Sequence, residues 1–300
     1  MMPPFVQALR PHQWVKNLLV LAPLAFTPKD LLFEANAWLS VLLAVASFCL
    51  AASSIYLLND IVDREEDARH PKKKNRPIAS GRLPVNAARL ELLVTLVSAF
   101  AVGSLVPSAH GVPFVVWPAA YLALNLAYSF WLKKLVVIDC MCIALGFQLR
   151  VQAGAAAIAV EASHWLLLCT LFFSLFLAFC KRYEELSRQA EATGRTRATM
   201  EDYSPAFLSM MIGPLAALSI LSYSLYTVSP ETIATHGSDR LMFTVPIVTY
   251  GVFRYLFLVY RRSEGGDPAQ LLFRDLPLVV SGVLYAALVV VLLRAMPGPG

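Results

Sequence analysis

Three aspartates recur at short intervals in Asn59-Asp60-Ile61-Val62-Asp63-Arg64-Glu65-Glu66-Asp67. At 100° per residue, Asp60, Asp63 and Asp67 fall within about 60° of one another on a helix, with Asn59 adjoining and Glu65 and Glu66 pointing elsewhere. Carboxylates crowded on one face repel unless cations intervene, and a hard divalent ion meets that need. Magnesium suits the set: it takes one or two protein carboxylates, keeps waters and completes its shell with substrate phosphate oxygens. Asn59, Asp60, Asp63 and Asp67 are therefore the candidate Mg2+ ligands, and the three aspartates the candidate catalytic acids. The plainer alternative is a solvated helix end whose acids pair with Arg64, Arg69 and the lysines that follow. Downstream, His70-Pro71-Lys72-Lys73-Lys74-Asn75-Arg76-Pro77-Ile78-Ala79-Ser80-Gly81-Arg82 adds a cationic loop. Alone, Lys72 to Lys74 would suit anionic lipid. Beside an acidic face, Lys74, Arg76 and Arg82 become candidate phosphate ligands for a metal-diphosphate substrate.

These motifs must be carried by a membrane scaffold. The chain has 300 residues, 58% hydrophobic and 15% charged, with mean hydropathy +0.61. Soluble globular domains are nearer 45 to 50% apolar. Apolar segments near 12–28, 38–58, 85–106, 113–131, 136–158, 164–180, 206–228, 240–260 and 277–295 approach the roughly 20 residues that cross a bilayer core. The pattern predicts an all-α, polytopic, nine-helix membrane domain over 1–300, with cytoplasmic loops 59–84 and 181–205. No signal-peptide cleavage site follows Arg10, His12 and Lys16, so the first segment is expected to stay. With the amino terminus cytoplasmic, nineteen of the 25 Lys and Arg fall on that side, which the positive-inside rule favours. The net charge is only +5, so placement rather than magnitude informs, and no nucleic-acid partner is expected. Five cysteines sit inside apolar stretches and read as small buried hydrophobes.

The two loops together are specific. Asn59 to Asp67 reads N-D-x-x-D-x-x-x-D, and Asn75 to Gly81 reads N-R-P-I-A-S-G. On a chain of nine apolar segments, this pairing resembles the UbiA superfamily of intramembrane prenyltransferases. The resemblance implies that Asn59, Asp60, Asp63 and Asp67 hold magnesium and a substrate diphosphate, in a central cavity open to the cytoplasm and laterally to lipid. Members acting on aromatic rings carry a second aspartate-rich motif after the sixth span. Here that place reads Cys180-Lys181-Arg182-Tyr183-Glu184-Glu185-Leu186-Ser187. Exchanging metal-binding acids for Lys and Arg favours a bare phosphate, so Lys181, Arg182 and Tyr183 become candidates to grip one. That element, together with Leu9-Arg10-Pro11-His12-Gln13-Trp14-Val15-Lys16-Asn17 and Leu272-Phe273-Arg274-Asp275, is similar to one branch of the superfamily. The branch moves 5-phosphoribose from phosphoribosyl diphosphate to a polyprenyl (decaprenyl) phosphate, supplying cell-wall arabinose precursors. It implies Lys16 as a substrate contact, the bacterial inner membrane as location and a homotrimer as assembly.

Several single residues add candidates. Asp139 opens an apolar segment, and an ionisable group in a membrane helix is a functional candidate by default, with a helix cap as the alternative. Arg150 lies within about 20° of the same face and roughly 16 Å further on, placed for a lipid phosphate or an acid partner. Tyr128, Lys133 and Lys134 match a cation-bearing loop that contacts diphosphate in the superfamily, or else serve as interface anchors. Arg254 and Arg274-Asp275 read as structural pairs, and Trp14 and Trp131 as belt residues. Two rival readings are an aromatic prenyltransferase of the same fold, with a polyprenyl diphosphate donor, and a membrane transporter.

Overall fold

In hydrocarbon every backbone N–H and C=O must bond internally, and a helix does so within one segment. The structure, a computed structural model, describes residues 2–25, 27, 29–32, 34–71, 73–109, 111–191, 202–262, 271 and 274–295. Among them the fold is all-α, with one isolated bridge between Ala109 and Val112. The α-helices are Pro4–Leu9 (α1), Ala35–Val62 (α2), Arg64–Arg69 (α3), Val85–Gly103 (α4), Val116–Phe130 (α5), Ile138–Ala157 (α6), His164–Glu191 (α7), Pro205–Val228 (α8), Pro230–His236 (α9), Val245–Arg262 (α10) and Leu276–Ala295 (α11), besides two four-residue turns.

Among the described residues six stretches are long and apolar enough to cross a membrane: α2, α4, α6, His164–Ser187 of α7, α8, and Arg240–Arg261, where a 3-10 turn runs into α10. The other three expected spans take different forms. Segment 277–295 is α11, with its apolar stretch over Leu276–Leu292. Segment 113–131 yields the 15-residue α5. Segment 12–28 gives a 3-10 helix, Pro11–Leu21, and the single turn Ala22–Ala25. Pro11 and Pro23 lack N–H donors there, and proline inside an α-helix clashes with the preceding turn. The strip instead bonds to α2. Trp14 Nε1 donates to Ser53 Oγ at 3.1 Å and Asn17 Nδ2 to Cys49 Sγ at 3.3 Å. Trp14 is thus a half-buried hydrogen-bond donor, whereas Trp131 is 68% exposed.

The chain forms two compact units. The first comprises Met1–Phe26, Leu32–Phe130 and Leu149–Ala162. Its central pair is α2 and α4, which approach closely through small residues, as membrane helices do. Ala44, Ala51, Ala88 and Ala99 are fully buried, and Ser47 Oγ donates to Ala99 O at 2.8 Å. Gly154 is closer still to its neighbour: a Cβ there would lie 2.0 Å from Val20 O on the 3-10 strip. The second unit comprises Thr27–Leu31, Trp131–Gln148 and Ser163–Gly300. Its core joins Cys140 of α6, Phe176 and Cys180 of α7, Leu208 and Ile212 of α8, and Leu258 of α10. The five cysteines are free.

Candidate functional site

Helix α2 has 28 residues and so runs about 42 Å, against a hydrocarbon core of roughly 30 Å. Its surplus length carries Asn59 and Asp60 to its end. Asp63 stands between α2 and α3 with φ −87° and ψ 6°, off helical geometry. The backbone ladder nevertheless continues, Asp63 N to Asn59 O and Asp67 N to Asp63 O, both at 2.8 Å. Asp60 and Asp67, two turns apart, therefore keep a common inward side and are 2% and 1% exposed. Glu65 and Glu66 point to solvent.

The cationic loop is anchored by its apolar residues. Ile78 and Leu83 pack with Ala8 of α1, Leu57 of α2 and Ala88 of α4. Anchored in this way, the loop turns Arg76 towards the acids. Its Nη1 donates to Asp60 Oδ1 at 3.0 Å and also to Asp67 Oδ2. Arg10 reaches the same Asp60 oxygen from the amino-terminal strip, Nη2 to Oδ1 at 2.6 Å, and its guanidinium lies 5.0 Å from the Tyr56 ring centroid. Arg10 does this from left-handed backbone, φ 53°, at the junction of α1 and the 3-10 strip. A non-glycine residue there costs roughly 1–2 kcal/mol, which the ion pair and ring contact offset. Lys73 Nζ stands 3.5 Å from Asp67 Oδ1, at ion-pair distance but without a hydrogen bond, so this buried oxygen has no hydrogen-bond partner.

The acids thus pair with Arg10, Arg76 and Lys73 rather than with Arg64 or Arg69. Asp63 and Asn59 are half-buried, and Asp63 stays outside these pairs. Among the described residues no three His, Cys, Asp or Glu side chains converge as metal ligands. Arg76 bridges two of the expected carboxylates, Asp60 and Asp67, with Asp63 half-buried beside them. Two carboxylates suffice for magnesium, and the unbonded Asp67 oxygen is a hard donor of the right kind, so the residues fit that ion. Lys74 is exposed. Arg82 folds back to brace the loop, Nε to Ser80 Oγ at 3.1 Å and Nη2 to Asn75 O at 2.6 Å. Lys16 and Tyr128 are half-buried on the 3-10 strip and α5, and Lys72 lies outside the described residues.

Arg150, also in the first unit, is buried. Its Nε donates to Asn17 Oδ1 at 2.7 Å and its Nη2 to Tyr121 Oη at 3.1 Å, and the guanidinium lies over the Tyr121 ring at 4.6 Å. Sequence reasoning placed a phosphate or an acid at this guanidinium and did not anticipate Asn17 or Tyr121.

The second unit holds a different cluster. Arg182 Nε donates to Asp139 Oδ2 at 2.6 Å, with both side chains 1% exposed, and Arg182 Nη1 pairs with Glu185 one turn on. Tyr203 Oη donates to Asp139 Oδ1 at 2.8 Å, the oxygen that also accepts from Cys140 N. The same phenol oxygen accepts from Val137 N at 2.7 Å, and Val137 has φ 68°, an outlier for a β-branched residue. Burial pushes the Tyr203 phenol well up, so it is a donor at neutral pH. Asp139 thereby ties the start of α6 to α7 and to the segment before α8. Tyr203 had no spacing signal in the sequence. Lys181 Nζ lies 3.9 Å from Glu185 Oε1, and Tyr183 packs on Tyr260 with ring centroids 5.0 Å apart. Lys133 and Lys134 form a 3-10 turn ahead of α6. Arg254 pairs bidentately with Asp275, at 3.1 and 2.8 Å, as a structural reading predicts. Leu272 and Phe273 of the late motif lie outside the described residues.

Membrane-length helices, with aspartates and guanidiniums gathered where α2 ends, define an integral membrane protein with a polar site at a helix terminus. The chain belongs to the UbiA prenyltransferase family, whose sequence pattern matches residues 20–276. It is 35% identical over 292 residues to a decaprenyl-phosphate phosphoribosyltransferase of Corynebacterium glutamicum, covering 97% of this chain and 87% of that one. A Mycolicibacterium smegmatis protein of the same name is 37% identical, covering 90% of this chain and 86% of the other. The fold matches a UbiA homologue from Archaeoglobus fulgidus bound to GPP and Mg2+, with a TM-score of 0.72, 17% identity, and coverage of 97% of this chain and 100% of that one.

Proposed function

We propose that the protein transfers 5-phosphoribose from phosphoribosyl diphosphate to a polyprenyl (decaprenyl) phosphate, releasing diphosphate. The observation that carries this reading is the near-full-length likeness to proteins named decaprenyl-phosphate phosphoribosyltransferase, at 35 and 37% identity. The buried Asp60 and Asp67 beside Arg10, Lys73 and Arg76 supply the matching chemistry for a diphosphate leaving group.

Asp60 and Asp67, with Asn59 and Asp63 adjoining, would hold magnesium. When bound, that ion supplies Lewis-acid stabilisation of the departing diphosphate. Arg10, Lys73 and Arg76 take up negative charge that grows as the C1–O bond breaks. The acceptor phosphate is already an anion at neutral pH, so no residue is needed as a strong general base, and orientation provides much of the acceleration. Attack from the face opposite the leaving group inverts C1. For the ribose and lipid phosphates we nominate Lys16, Lys74, Arg82, Tyr128, Lys133, Lys134, Arg150, Lys181, Arg182 and Tyr183, with Asp139 as a partner for a ribose hydroxyl.

On this reading the whole chain works as one membrane domain of nine spans, in line with a family match that runs through both units. The central cavity opens to the cytoplasm and to lipid, the membrane is the bacterial inner membrane, and the assembly is a homotrimer. The basic residues on one side of the predicted spans support that orientation.

The test is transfer of label. Purified protein with magnesium, polyprenyl phosphate and ribose-labelled phosphoribosyl diphosphate should move label into the organic phase. Label that stays aqueous, while a polyprenyl diphosphate donor prenylates an aromatic acceptor, would replace this function with the ring-prenylating one.

A further inference from the structure

Asp60 and Asp67 already have cationic partners. Asp60 Oδ1 accepts from both Arg10 and Arg76, Asp67 Oδ2 accepts from Arg76, and Lys73 faces Asp67 Oδ1. Formally, two buried negative charges meet three positive ones. A lone divalent cation would leave the cluster strongly positive where water screens poorly, and would also have to break charge-assisted hydrogen bonds of 2.6 and 3.0 Å. The balance changes when the cation arrives with a diphosphate. Its several negative charges offset the added positive ones, and guanidiniums leaving the carboxylates find phosphate oxygens, which their fork geometry fits.

The side chains have the freedom this exchange requires. The carboxylates are 3% and 1% exposed, but Arg10 and Arg76 are 23% and 27% exposed and Lys73 is 43% exposed. Arg10 is also the residue whose left-handed backbone is retained at an energetic cost, which marks its position as more than a surface ion pair.

We infer that Arg10 and Arg76 make divalent-cation binding at Asp60 and Asp67 conditional on a diphosphate, refusing the bare ion and admitting it with its counter-charge. Arg10 holds Asp60 in the empty site and passes to the diphosphate when the pair arrives. The inference rests on the proposed reaction for the identity of the site.

The experiment uses the full chain in lipid nanodiscs and Mn2+ as the probe, with protein-bound Mn2+ measured by electron paramagnetic resonance after equilibrium dialysis. One arm contains Mn2+ alone and the other adds inorganic diphosphate, each against empty nanodiscs. The wild-type protein should bind Mn2+ at least about tenfold more tightly with diphosphate than without, a coupling of ordinary size for linked sites. Arg10→Ala should narrow that gap by tightening binding of Mn2+ alone, and Asp60→Asn should lose the bound signal in both arms. Equal wild-type affinity in the two arms overturns the inference and leaves the phosphoribosyl reaction standing. Mn2+ bound in neither arm removes the metal site from that reaction as well. Mn2+ retained by Asp60→Asn places the ion elsewhere and overturns the inference again. The wild-type comparison decides even if Arg10→Ala fails to fold.

Discussion

Two arginine–aspartate clusters in this protein use the same chemistry in opposite ways. In the first unit, Arg10 and Arg76 reach buried acids while keeping about a quarter of their own side chains open to solvent. In the second, Arg182 and Asp139 are each 1% exposed, and Glu185 and Tyr203 take up further hydrogen-bonding capacity. An arginine that solvent can reach can change partners during a reaction. A sealed one can do so only if its surroundings open, because removing either partner strands a buried charge.

The contrast can be broken most directly at Arg182. Arg182→Met should cost about 3–5 kcal/mol of stability by leaving Asp139 uncompensated, seen as a lowered Tm. Adding Asp139→Asn should recover part of the loss, with the coupling read from a double-mutant cycle. Full stability in Arg182→Met would erase the distinction between the clusters. Asp67→Asn should instead lower turnover by about 100- to 1,000-fold, the scale seen when preorganised electrostatics are removed, with a smaller Tm change than Arg182→Met. Tyr203→Phe removes a donor to Asp139 and the acceptor for Val137 N–H, and should cost about 1–3 kcal/mol. It also carries a pH signature. Because burial raises the Tyr203 phenol in the folded state, its contribution is present below the unfolded value of about 10 and fades as pH rises above it. Wild-type stability should therefore fall more steeply than that of Tyr203→Phe in alkaline denaturation curves. The smallest effect is expected at Arg82→Gln, which frees the loop brace at Ser80 and Asn75: a rise of a few-fold in the KM for donor with kcat nearly kept.

Much of the first cluster was legible in the sequence. Asp60 and Asp67 are seven residues apart, two helical turns, and that spacing alone predicts a shared side. The partners were less legible. Arg10 meets Asp60 across 50 residues and Arg182 meets Asp139 across 43, and local periodicity carries no information about contacts at that range. Lys181 and Arg182 look like a phosphate clamp when read as a string of cations. Only tertiary packing buries the second of them against an acid. The form of the first apolar segment was hidden for a local reason: its prolines disfavour a continuous α-helix, and the composition of a 17-residue window does not register a 3-10 strip bonded to a neighbour.

Gly154 gives this arrangement a remote weak point. A methyl group at that position would push on the Val20 carbonyl from 2.0 Å, and Val20 belongs to the 3-10 strip that Arg10 caps. A bulkier residue on a distant turn of α6 would thus shift the splint holding one jaw of the acid clamp, so a loss-of-function substitution in this protein need not lie anywhere near the atoms that react.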